Sequence, residues 1–194
     1  MTKKTFLALV VAIVVCSLTA CKNKGPEHEN HISINGGTHI SIDAVQYDKD
    51  GWLNHQLLAL QICCQNSDTI WVIVGKNLLG QALDLYALPP IEVTDPQTGD
   101  LNFTKLLDAW TVIALTGPNE EDCYFASNVV DEDEEGDSKP LPGSTMTVNL
   151  INQSTGEVEI KFHWGLKNLP EEATCTFDGY YHGTCTPTNF EDIL

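Results

Sequence analysis

The chain has 194 residues, 42% of them apolar, and a formal net charge of −17 at neutral pH. That length suits one domain with a proper core. The acidity argues against nucleic acid as a partner, because no basic footprint exists to displace counterions from phosphates. The chain also lacks arginine, so bidentate guanidinium capture of carboxylate or phosphate is excluded.

The first residues are basic (Lys3, Lys4), then apolar from Phe6 to Cys16, and close on Leu18-Thr19-Ala20-Cys21. A positive start, a short greasy centre and small residues before a cut are the parts of an export signal. The apolar run is roughly half the ~20 residues that a spanning helix needs. Leu18, Thr19, Ala20 and Cys21 resemble the lipobox of bacterial lipoprotein signal peptides. The resemblance implies cleavage before Cys21 and attachment of acyl chains to its sulfur. Two or three acyl chains hold far more firmly than one, since each buried methylene contributes about 0.8 kcal/mol. Lys22 stands where the Gram-negative sorting rule places Asp for inner-membrane retention, which favours the outer membrane. Residues 1–20 are therefore read as signal peptide and the polar segment 21–30 as a tether.

From His31 the apolar residues alternate. Ile32 and Ile34, then Ile40 and Ile42, flank Asn35-Gly36-Gly37, and this predicts a hairpin. Gln56 to Cys64 reads as a strand with Leu58, Leu60, Ile62 and Cys64 on its core face; Cys63 is placed on the surface or between sheets. Thr69 to Val74 is β-branched and aromatic, hence strand. Asn77 to Leu88 reads as a short helix ended by Pro89-Pro90. Asn102 to Asp108 reads as one or two helical turns capped by Asn102. Strands follow at 109–116 and 123–130, then a charged loop from Asp131 to Ser138 and a turn at Pro140–Gly143. Thr145 to Leu150 is strand. Val158, Ile160, Phe162 and Trp164 alternate with Glu157, Glu159, Lys161 and His163, the cleanest inside–outside pattern in the chain. Asp178-Gly179 reads as a turn between Cys175 and Cys185, with a loose tail after it.

Many short strands with few helices predict an all-β chain, an antiparallel β-sandwich over 31–186 with one or two short helices in its middle connection and a tail at 187–194. Leu57-to-Asp68 and Pro140-to-Leu150 resemble turns and strands of immunoglobulin-like domains in small bacterial lipoproteins. That resemblance implies a fold and no activity.

Several groups bear on chemistry. Asp131, Asp133, Glu135 and Gly136 approximate the alternate oxygen ligands and glycine of a calcium loop. A glutamate replaces the usual Asp or Asn, and Pro142 sits where a bidentate carboxylate belongs, so a solvated loop is the reading preferred to Ca²⁺. The spacing Gln46, Asp48, Asp50, Gly51 is a weaker match of the same kind. His31 and His39 are placed to meet across the first hairpin, but no histidines have zinc-site spacing. No Gly-x-Ser-x-Gly elbow occurs. Export would put the cysteines in an oxidising compartment, and the expected disulfide is the local pair Cys175 and Cys185. Trp52, Tyr180 and Tyr181 are read as core or surface aromatics, with a platform for sugars or a protein as the alternative.

The expectation is a non-enzymatic binding or accessory module of the cell envelope, anchored to the membrane by lipid, with an envelope protein or glycan as partner. The alternatives are a calcium-dependent glycan binder or an envelope hydrolase.

Overall fold

The computed structural model describes residues 30–48, 56–66, 68–95, 97–116, 122–130, 138–168 and 172–188. They form an all-β unit of twelve strands: β1 (His31–Ile34), β2 (Ile40–Asp48), β3 (Leu57–Cys64), β4 (Thr69–Gly75), β5 (Leu83–Asp84), β6 (Trp110–Thr116), β7 (Asp122–Ser127), β8 (Ser138–Pro140), β9 (Thr145–Asn152), β10 (Glu157–Asn168), β11 (Thr174–Thr184) and β12 (Thr186–Thr188). The sheet runs β5-β9-β10-β11-β1-β2-β3-β4-β6-β7, with β8 beside β10 and β12 beside β2. The ladders between these strands are antiparallel except that of β12 with β2.

The first hairpin forms as the sequence predicts. Asn35 and Gly36 both adopt positive φ, 51° and 66°, which a tight reversal between twisted strands requires. The short β1 is extended by its flanking asparagines. Asn30 Oδ1 accepts from the His182 amide at 2.9 Å while its Nδ2 donates to the His182 carbonyl. Asn35 Oδ1 accepts from the Thr176 amide at 2.9 Å. Two side chains thus supply rungs that backbone would otherwise make.

β2 joins the two halves of the sheet. Ile40 and Ser41 pair with β1, and from Ile42 onward the strand pairs with β3, with a register irregularity between Ile42 and Ala44. Such a bulge bends a strand and increases its twist. The sheet curls, and the inner faces of its halves share one core. Val45, Leu60, Ile70 and Val112 from one half lie in the same cluster as Ile160, Trp164 and Phe177 from the other. Tyr124 of β7 meets Phe177 of β11 edge-on with ring centroids 5.5 Å apart.

A second core lies on the outer face of β3, β4 and β6. Leu57, Ala59, Trp71, Ile73 and Ile113 are covered there by Val93 and Leu106 of the long connection between β5 and β6. These three strands are therefore buried along their whole length. Strands covered on both faces read as near-continuous apolar runs, as in Leu57–Cys64, interrupted only by buried Gln61, and in residues 70–74. Cys63, expected on the surface or between sheets, is buried. The covering connection contains helix α1 (Phe103–Leu106), whose expected cap is present: Asn102 accepts from the amides of Thr104 and Lys105. Buried Asn128 fixes the same connection, accepting from the Trp110 amide at 2.7 Å and donating to the carbonyls of Asp108 and Pro89.

Five expectations are corrected. Asn77–Leu88 is not a helix; a single 3-10 turn at Lys76–Leu78 leads to β5. Gly80 has φ 76°, which stops helix propagation, and Leu78, Leu83 and Leu85 reach the core from the 3-10 turn, from β5 and from just after it. The strand expected at 123–130 ends at Ser127. Asp178-Gly179 makes no turn, because β11 runs straight through it from Thr174 to Thr184. Gly179 serves packing instead: a Cβ there would overlap the ring of Phe162, its partner on β10. The Cys175–Cys185 disulfide is therefore wrong. The two thiols are free, one near each end of this strand, some 30 Å apart at about 3.3 Å of rise per residue, where a bridge requires Cα atoms within about 7 Å. The tail expected from 187 begins as strand, since Thr186–Thr188 pairs with Gln46–Asp48.

Candidate functional site

The outer surface of β9, β10, β11 and β1 faces water and carries a row of polar side chains. Alternation along β10 turns Glu157, Glu159, Lys161 and His163 outward while Val158, Ile160, Phe162 and Trp164 fill the core. Register sets their partners: Glu159 stands opposite His182, Lys161 opposite Tyr180 and His163 opposite Asp178. On the far side of β11, His31 stands opposite Tyr180 and Ser33 opposite Asp178. Directly opposed residues share a face and interact.

Glu159 is the hub. Its carboxylate accepts from Lys161 Nζ at 2.9 Å, Asn149 Nδ2 at 2.9 Å and Tyr180 Oη at 3.4 Å. The bond from Lys161, then that from Asn149, hold its carboxyl below the usual range, against an opposing contribution from burial. Lys161 is raised in turn, first by its bond to Glu159. The ammonium also lies 5.6 Å from the centre of the Tyr180 ring, within cation–π range. Two further pairs flank this hub: His163 Nδ1 with Asp178 Oδ1 at 2.6 Å, and His182 Nε2 with Glu157 Oε1 at 3.4 Å. At the rim the rings of His31 and His39 stack with centroids 4.0 Å apart and an interplanar angle of 10°, so these histidines do meet across the hairpin.

Chemically this is a hydrogen-bonded surface with its charges mostly matched. It offers donors, acceptors and one aromatic ring on a strand framework. Among the described residues no group of three or more His, Cys, Asp or Glu side chains is arranged to hold a metal ion.

The thiols are a separate matter. Burial pushes Cys64 up to about 12, with the charges of Asp68 and Asp43 adding to the effect. Burial likewise pushes Cys185 up to about 12, although a hydrogen bond with Tyr181 works the other way. Cys175 is also raised by burial. A nucleophilic cysteine needs its thiolate, and these three stay protonated at neutral pH.

The structure brings together few of the residues that the sequence singled out. Leu18, Thr19, Ala20 and Cys21 lie outside the described residues, as do Asp131, Asp133 and Glu135 and the aromatic Trp52. Tyr180 and Tyr181 point to opposite faces and form no joint platform. Tyr181 is buried and donates to the Thr184 carbonyl at 3.1 Å. The polar row itself was half visible: the outward residues of β10 follow from alternation. Their β11 partners were hidden by reading Asp178-Gly179 as a turn. Comparison of the chain with family models, curated proteins and solved structures returns no match.

Proposed function

We propose that this chain is a lipid-anchored protein of the cell envelope, favouring the outer membrane, whose curled sheet is a β-sandwich of the immunoglobulin-like kind acting as a non-enzymatic binding or accessory module. The observation that carries the reading is Leu18-Thr19-Ala20-Cys21 at the end of a basic, then apolar leader, with only residues 22–30 between the acylated sulfur and the first strand at His31. From Cys21 to His31 that tether spans at most about 36 Å at 3.3–3.6 Å per residue, so the folded unit stands close to the bilayer. The sandwich reading is supported by the single core that the two halves of the sheet share. The binding reading is supported by the strand-borne polar row around Glu159 and Tyr180, whose pairing holds the side chains in place before any partner arrives. Protonated, buried thiols at Cys64, Cys175 and Cys185 fit packing better than nucleophilic work.

The test is fractionation. The unaltered protein sediments with membranes and requires detergent for release, and Cys21→Ala leaves it in the soluble fraction. Membrane association that survives Cys21→Ala contradicts the anchor.

A further inference from the structure

We draw no further inference here: the strongest candidate, the solvent-facing row of Glu159, Lys161, His163, Asp178, Tyr180 and His182 on β10 and β11, matches its charges within the sheet, and nothing in the structure shows what covers it.

Discussion

The two halves of the sheet solve the same problem in different ways. β3, β4 and β6 are buried on both faces, by the shared core on one side and the connection carrying α1 on the other. β9, β10, β11 and β1 bury one face and give water the other. The first half accordingly reads as continuous apolar sequence, and β10 in the second as strict alternation. Among these seven strands any functional surface has to come from β9, β10, β11 and β1, because β3, β4 and β6 have no free face. The difference teaches that a strand's pattern reports how many of its sides are covered before it reports anything about partners.

Alanine substitutions test this contrast most strongly. In β4, consecutive residues face different cores: Trp71 the outer and Val72 the shared one. Both Trp71→Ala and Val72→Ala should destabilise, the tryptophan by about 3–5 kcal/mol. In β10 the effect should alternate. Trp164→Ala costs about 3–5 kcal/mol, whereas His163→Ala, half exposed, stays within about 0.5 kcal/mol as surface changes do. Denaturant midpoints read both series. A β4 series that alternates like β10 would remove the second core.

Next in size is Asn128→Ala. It strands the Trp110 amide and the carbonyls of Asp108 and Pro89, which Asn128 now serves. Leaving buried polar groups unpaired costs about 1–3 kcal/mol. Amide exchange should rise in 89–109 ahead of β10 and β11, since the connection loosens first; uniform protection across both halves would argue against this clasp.

Gly179→Ala sharpens the other half. The added methyl meets the Phe162 ring, and overpacking of this kind costs about 1–3 kcal/mol. Phe162→Leu in the same chain should recover part of the loss. A neutral Gly179→Ala would restore the turn reading of Asp178-Gly179.

The smallest effect belongs to the polar row. Glu159 is held below its ordinary value of 4.5, so folding favours its charged form. Its contribution is fully present above the unfolded value and is lost as pH falls through the lower folded one. The stability difference between the protein and Glu159→Gln should therefore be small at neutral pH, as exposed pairs are, and vanish on acidification below 4.5. A difference that grows with acid has the wrong sign for this network.

Much of the fold was legible in the residues. Period two in Glu157–Trp164 gave both the strand and its inward face. Asn35-Gly36 gave the hairpin through the backbone angles it permits, and Asn102 gave the cap. What escaped depended on contacts distant in sequence. Leucines between 77 and 88 are spaced as on a helix, yet they reach the core from a 3-10 turn and from β5, on either side of Gly80. Gly179 looks like punctuation until Phe162 is known to lie across it. The Cys175–Cys185 pairing rested on closeness in sequence, which the extended β11 turns into distance in space. The β11 half of the polar row was out of reach for the same reason, because it joins the β10 residues only where the two strands run side by side through Asp178 and Gly179.

The measurement that bears most directly on the proposed role is the intact mass, with N-terminal peptide mapping, of protein extracted from membranes of its own host. The expected species is a chain that starts at Cys21 and carries a diacylglyceryl group on its sulfur. A chain that retains residues 1–20, or one cut elsewhere with no acyl mass, contradicts it.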